Sequence, residues 1–209
     1  ATRRKKDSSM TVALNMLRDG EGDAVISAGS TGALLTGATL IVKRVHGVRR
    51  AALAPVLPSG QYGALLIDCG ANAECTPEYL LQFAYMGSFY AKRMMGCPNP
   101  RVGLLNVGTE DTKGDTLRHD TFALLKKAAD EGQINFIGNI EGRDLLDDKA
   151  DIVITDGFTG NVVLKFAESL YDVLRVKAGI ESAFLDKFNH RLYAGVPVLG
   201  IRKPLVVGH

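Results

Sequence analysis

The chain has 209 residues, 46% of them hydrophobic, with 25 basic and 23 acidic side chains for a formal charge of +2. That is enough for one good-sized core, or one core with a small appendage, and global disorder is excluded by composition. The near-balanced charge gives no argument for a nucleic-acid partner. Three cysteines, Cys69, Cys75 and Cys97, are odd in number and lack CxxC spacing, which argues against a disulfide framework or a zinc site and fits a reducing, cytoplasmic setting. No secretory signal is present, and no apolar run is long enough to span a bilayer. The start at Ala1 and the stop at His209 without a polar tail read as a fragment, or as the ordered part of a longer protein.

One pattern recurs along the chain: a short apolar run, a polar loop containing glycine, then a helix-like stretch. The basic run Arg3-Arg4-Lys5-Lys6 comes first and reads as a solvated face. Ala24–Gly29 leads into Ser30-Thr31-Gly32, and the spacing predicts a buried helix over Ala33 to about Val45. Ala64–Asp68 leads into Cys69-Gly70-Ala71-Asn72. Thr76 is then an expected N-cap, with Pro77 at the first helical position, and the helix should run to about Met95, where Gly96 stops it. Arg101–Gly108 leads into Thr109-Glu110-Asp111-Thr112-Lys113-Gly114, and Asp115 or Thr116 should cap a helix reaching about Asp130. Ile134 to Ile140 is a further strand. Asp151–Asp156 leads into Gly157-Phe158-Thr159-Gly160-Asn161 and a helix expected over Val162 to Leu174.

Strands alternating with helices imply βαβ units, an α/β fold of three αβα layers with a mainly parallel sheet. Near-continuous apolar strands fit burial on both faces. Residues 1–174 read as the α/β catalytic core, and 175–209 as a helical extension that returns to the core. Parallel connections should bring the four strand-to-helix loops to one sheet edge, where such sheets bind ligands.

Each loop has a structural reading beside a chemical one. Gly29-Ser30-Thr31-Gly32 offers close backbone approach, two hydroxyls and a helix start, a reasonable phosphate cradle or simply a tight turn. It matches neither a Walker A loop nor GxGxxG. Asp68 and Asn72 can cap their turn or bond a ligand. Lys113 can balance a phosphate or a developing oxyanion, or be solvated. In Asp156–Asn161, capping by Thr159 or Asn161 and ligand binding coexist. Cys69 and Cys75 read as inert thiols, since no histidine stands in a supporting motif. No GxSxG elbow and no metal cluster is visible.

The residues nevertheless resemble one family in order. Arg-Arg-Lys-Lys-Asp-Ser-Ser-Met (3–10), Ser-Ala-Gly-Ser-Thr-Gly-Ala-Leu (27–34), Asp-Cys-Gly-Ala-Asn (68–72), Asn-Pro-Arg-Val-Gly-Leu-Leu-Asn-Val-Gly-Thr-Glu (99–110), Asn-Phe-Ile-Gly-Asn-Ile-Glu-Gly-Arg-Asp (135–144) and Thr-Asp-Gly-Phe-Thr-Gly-Asn (155–161) are similar to the PlsX phosphate acyltransferases. That resemblance implies a fold like phosphate acetyltransferases and isocitrate dehydrogenase-like enzymes. It implies transfer of a long-chain fatty acyl group from acyl carrier protein to inorganic phosphate, in phospholipid synthesis, with no metal or other cofactor. It further implies a cytoplasmic homodimer with peripheral membrane association. By position, Lys113 and Asn161 would be catalytic, and Gly29, Ser30, Thr31, Gly32, Asp68, Asn72, Asp156, Thr159 and Gly160 would line the substrate and phosphate site. Ser30 departs from the family's usual Asn and Ala194 from a usual Gly. The family's VDAMGGD-like N-terminal strand is not in the chain, the segment after residue 170 is short, and the chain ends inside a His-Gly-Ser motif. Competing expectations are a short-chain phosphate acetyltransferase using coenzyme A, a nicotinamide-dependent dehydrogenase (disfavoured by the missing GxGxxG), and a non-catalytic phosphate- or acyl-binding module.

Overall fold

A computed structural model describes residues 5, 7–189 and 195–208. Most of the basic run at 3–6, Ala194 and His209 therefore lie outside the described residues. Among the described residues nine strands fall into two sheets. The larger has the order β3 (Val56–Leu57), β4 (Ala64–Ile67), β7 (Ile152–Ile154), β5 (Arg101–Leu105), β6 (Asn135–Ile140), parallel except for the antiparallel edge strand β3. The smaller has the order β1 (Val25–Ser27), β9 (Leu205–Val207), β8 (Val196–Leu199), β2 (Ala52–Leu53).

Strand alternation explains why the strands of the larger sheet are apolar throughout. Leu65 and Ile67 of β4 join Ile152 and Ile154 of β7 in one core, beneath α3 (Pro77–Met94) and α4 (Thr116–Asp130). The intervening Leu66 and Val153 point into a second core with Leu14 and Leu17 of α1 (Ser9–Asp19), Leu34, and Val163 and Leu164 of α5 (Gly157–Asp172). A strand covered on both faces has no solvent side on which to place polar residues. α3 approaches β7 closely because Gly87 has no side chain; a Cβ there would stand 2.9 Å from Ile152 Cγ2.

The first predicted strand, β1, belongs to the smaller sheet rather than the larger one. A run of three residues carries no mark of which sheet it will join, and its neighbour β9 lies about 180 residues on. The stretch 51–57 stitches the sheets together, with β2 in one and β3 in the other. Ala54 N–H donates to Pro197 O (3.2 Å), and Leu66 N–H to Pro55 O (2.9 Å). Helix ends also depart in part from expectation. The helix after Ser30 is α2 (Thr31–Gly37), continued by a wider π-helical turn at Ala38–Val42. Thr76 does precede α3, but its hydroxyl goes to Glu78 Oε2 (2.6 Å) instead of capping a backbone N–H. A second π turn, Val173–Lys177, prolongs α5, and α6 (Ala183–Asp186) follows it.

At the edge where β5 and β7 begin, Arg101 Nε and Nη2 donate to the two oxygens of Asp151 (both 2.9 Å), and Arg101 N–H donates to Oδ2 (2.8 Å). Asp151 is buried. Burial raises its pKa, but the Arg101 bonds outweigh it and hold the carboxyl below its ordinary value. A lowered folded-state pKa contributes stability above the unfolded carboxylate value near ~3.9 and loses it as pH falls through the folded value. Arg101→Met should cost about 1–2 kcal/mol at neutral pH, the low part of the range because Arg101 is a third exposed. In urea titrations from pH 7 down to about 2, Asp151→Asn should show a shallower acid loss than wild type. Parallel curves would show that the pair contributes nothing.

Candidate active site

Because β4, β7, β5 and β6 are parallel, their carboxyl ends share one edge. The order β4-β7-β5 sets the Asp68–Asn72 loop on one side of the Asp156 turn and the Asn106–Asp115 loop on the other. Three of the four predicted loops therefore meet here. The fourth, Gly29–Gly32, leaves β1 in the smaller sheet. The helix it opens borders the Asp68 loop across a cleft of about 250 Å³, where Leu35, Thr36 and Thr39 face Ala71 and Asn72. Ser30 Oγ accepts Ala33 N–H at 3.4 Å, so the loop does cap α2.

Asp68 is fully buried and organises its own loop. Oδ1 accepts Leu53 N–H (2.9 Å) and Ala71 N–H (3.2 Å); Oδ2 accepts Asn72 N–H (2.7 Å) and Asn72 Nδ2 (3.0 Å). Burial nonetheless outweighs these bonds and raises its pKa. Asn72 spends its second amide hydrogen on Ala51 O (2.8 Å), and its main-chain oxygen accepts Gly157 N–H (2.8 Å). In this arrangement both side chains tie the two sheets, with both Asp68 oxygens and the Asn72 Nδ2 occupied by protein.

α5 starts against that loop. Its N-cap is Asp156, whose Oδ1 accepts Thr159 N–H (2.9 Å), rather than Thr159 or Asn161. The reason is local: Asp156 alone has the extended backbone of a cap, while Thr159 and Asn161 lie inside the first turns. Gly157 and Gly160 are needed for packing. A Cβ on Gly157 would stand 2.5 Å from Asn72 O, and one on Gly160 1.9 Å from Asp68 O. Asn161, exposed, faces Gly70; a Cβ there would be 3.5 Å from Asn161 Oδ1.

The lysine loop is pinned from below. Asn106 Nδ2 donates to Lys113 O (3.0 Å), and Asn139 Nδ2 to Glu110 O (2.9 Å), which also accepts Lys113 N–H (3.0 Å). Lys113 itself is exposed, its stem lying over Gly108, where a Cβ would meet Cγ at 2.9 Å. Asp115 then caps α4 by accepting Arg118 N–H (2.9 Å).

Arg118 is the residue that sequence reasoning missed. Its guanidinium bonds Asp115 Oδ2 (3.0 Å), Asp156 Oδ2 and Thr159 Oγ1 (3.3 Å), joining the lysine loop to the α5 start. The available signal was an arginine three residues after an expected cap, which also reads as an ordinary surface pair. Burial raises the Asp156 pKa, but the Thr159 bonds and Arg118 prevail and hold it below its ordinary value. Asp156 is thus a carboxylate at neutral pH. Arg118→Met leaves Asp156 buried without its cation, and should lower stability by about 2–4 kcal/mol in urea titrations. A change under about 0.5 kcal/mol would mean the bridge is not formed.

Burial pushes the Cys75 thiol up to about 11 and Cys69 well above its ordinary value, which disfavours thiolate chemistry at both. Among the described residues no group of three or more His, Cys, Asp or Glu is placed to hold a metal ion, and no helix is long and apolar enough to cross a membrane.

With the geometry established, comparison with known proteins is direct. The sequence profile described as "Fatty acid synthesis protein" matches residues 1–209. The phosphate acyltransferase of Bacillus subtilis (strain 168) is 46% identical over 229 aligned residues, covering 100% of this chain and 68% of its own length. That of Lactobacillus gasseri is 45% identical with the same coverage. Among solved structures, a phosphotransacetylase from Streptococcus pyogenes superposes with a TM-score of 0.64 at 14% identity, covering 92% of this chain and 58% of that one. EutD phosphotransacetylase from Staphylococcus aureus gives 0.62 at 17%, covering 92% and 59%. The chain thus spans about two thirds of the curated relatives and somewhat less of the solved ones, and the structural likeness speaks for the αβα fold alone. Similarity in sequence along the whole of this chain shows the family: the chain belongs to the fatty acid synthesis protein family, that of the phosphate acyltransferases.

Proposed function

We propose that this site moves a long-chain fatty acyl group from acyl carrier protein to inorganic phosphate, giving acyl phosphate for phospholipid synthesis. Acyl transfer to phosphate is the reaction for which the family's curated members are named. The observation that carries the site assignment is the Arg118 bridge, which holds the lysine loop beside the α5 start. In this reading Lys113 and the Gly29-Ser30-Thr31-Gly32 loop hold phosphate. A phosphate oxygen forms the new C–O bond to the thioester carbonyl carbon, and the carbonyl electron pair moves onto oxygen. Asn161 donates its amide to that oxyanion. Collapse breaks the C–S bond, and the departing thiolate takes the proton that hydrogenphosphate gives up. Phosphate is already an anionic nucleophile, so no acyl-enzyme is needed and positioning supplies much of the rate. Asp68, Asn72, Asp156, Thr159 and Gly160 serve by shaping the cradle.

The reading includes a cytoplasmic homodimer with peripheral membrane association. Its supporting observation is the exposed apolar series Phe158, Val162, Phe166 and Leu170 along α5. The test of function is to incubate the protein with phosphate and either palmitoyl-acyl carrier protein or acetyl-coenzyme A, then trap acyl phosphate as hydroxamate. Product from the long-chain donor is expected. Product from acetyl-coenzyme A alone would favour a short-chain enzyme, and none from either would overturn the reading.

A further inference from the structure

The cleft between α2 and the Asp68 loop opens onto a face with an unusual charge distribution. The chain as a whole is nearly neutral, yet residues 24–67 contain no carboxylate, and none follows Asp186. Those two stretches supply all of the smaller sheet. They bring Lys43, Arg44, Arg49, Arg50, Arg202 and Lys203 together: Arg202 N–H donates to Lys43 O and its Nε to Arg44 O (both 3.1 Å), and Arg44 bridges Ile201. Among the described residues none of the six forms an ion pair within 4.0 Å; Arg49 acts on Glu78 only as a charge that helps lower its pKa, and the Asp68 carboxylate beside the cleft is bonded to Asn72. Six like charges repel one another, so such a cluster favours an anionic ligand.

Two of the six line the cleft. Arg44 is half-buried there, its Nη1 donating to Arg49 O (2.6 Å), and the Arg50 guanidinium lies 5.4 Å from the Tyr79 ring centre. Thr39 adds a hydroxyl, that of Thr36 being donated to Gly32 O (2.8 Å), and Leu35 and Leu40 add apolar surface. Ala71 and Asn72 also line it, next in sequence to Gly70, which faces Asn161. The cleft therefore places two arginines and the Asp68–Asn72 loop around one space, and that same loop carries Gly70 against Asn161, the proposed oxyanion donor. A ligand suited to it has a phosphate at one end, a thin amide-bearing chain, and the reacting group at the other.

Resting on the acyltransferase reading above, we propose that this cleft receives the 4′-phosphopantetheine arm of a carrier-protein thioester. Arg44 and Arg50 hold its phosphodiester, and Arg202 and Lys203 meet the acidic carrier around it. Coenzyme A bears the same arm, so the carrier is separated from it by the residues outside the cleft. Initial rates are measured at saturating phosphate with three palmitoyl thioesters: of acyl carrier protein, of coenzyme A, and of pantetheine, which lacks the phosphate. Arg44→Gln/Arg50→Gln should raise KM at least tenfold for the first two and leave the pantetheine thioester and the phosphate KM within twofold. Arg44→Lys/Arg50→Lys should recover most of the loss, and equal thermal melting would set aside misfolding. Arg202→Gln/Lys203→Gln should raise KM for the carrier-protein donor only.

An unchanged donor KM in the glutamine variant, or an equal rise for the pantetheine thioester, would overturn the cleft assignment. Loss of binding to anionic phosphatidylglycerol vesicles with donor KM unchanged would assign the face to a membrane instead. If wild type turns over no thioester, the acyltransferase reading itself fails. Calorimetry with free 4′-phosphopantetheine then decides the cleft alone: binding by wild type and not by the glutamine variant supports it, and no binding by wild type removes it.

Discussion

Gly160→Ala is expected to unfold the active-site edge, with loss of about 3 kcal/mol or more and of activity together. The Cβ would sit 1.9 Å from Asp68 O, whereas carbon and oxygen in close contact keep about 3.3 Å apart. The obstacle is backbone, not a flexible side-chain tip. It belongs to a loop fixed by four bonds to the Asp68 carboxylate and by Gly157 N–H on Asn72 O. Either α5 withdraws by more than about 1 Å, breaking the Gly157 bond and displacing Asn161 from Gly70, or the loop shifts and strips buried donors of their acceptor. Overpacking a close contact commonly costs about 1–3 kcal/mol, and backbone obstruction lies at the severe end. Gly32→Ala is the control, since nothing lies within 4 Å of its Cβ position; it should be neutral in stability. Urea titration with near-ultraviolet circular dichroism reads both. A Gly160→Ala protein as stable and active as wild type would show that α5 does not approach the Asp68 loop this closely.

The same contact shows where the sequence was informative and where it was not. Asp-Gly-Phe-Thr-Gly-Asn announced a helix start with two glycines, but glycine serves equally for a turn needing positive φ and for close packing. Only the structure distinguishes these, and neither Gly157 nor Gly160 has positive φ. Strand periodicity located β4, β5, β6 and β7 because burial on both faces leaves an uninterrupted apolar run. It could not find β2 and β3, two residues each, whose strand character comes from partners far along the chain. Helix α1 has a capping Ser8, a buried Leu14 and Leu17, and Gly20 at its end, all visible in the sequence, yet no element is predicted between the basic run and Ala24.

The misassigned first strand has a chemical consequence. With β1 in the smaller sheet, Ser30 and Thr31 follow a strand of a different sheet than Lys113 and Asn161. The site proposed above is then a junction between sheets rather than one edge, and Asp68 fastens the two: one carboxylate binds Leu53 N–H of the smaller sheet and the loop that supports α5. Arg118 does the same between α4 and α5. Long-range pairs of this kind leave little mark in a single sequence, because each partner also has a plausible local role.

Lys113→Ala and Asn161→Ala should each lower kcat by about 100- to 1,000-fold, the usual scale for removing one donor to developing charge, while leaving stability within about 0.5 kcal/mol. Both residues are exposed, and no hydrogen bond described for either side chain supports the fold, so truncation should act on chemistry alone. The two should differ in kind. Lys113 is held to meet phosphate as a charge, so its loss should also raise KM for phosphate, and Lys113→Arg should recover part of the activity. Asn161 is held to meet charge that appears only in the transition state, so its loss should appear in kcat with both KM values little changed. Full steady-state kinetics with palmitoyl-acyl carrier protein and phosphate separate these patterns. Wild-type turnover in both alanine variants would remove Lys113 and Asn161 from the site while leaving the reaction itself in place. A kcat loss at Asn161 matched by an equal rise in thioester KM would make it a substrate-binding group rather than an oxyanion donor.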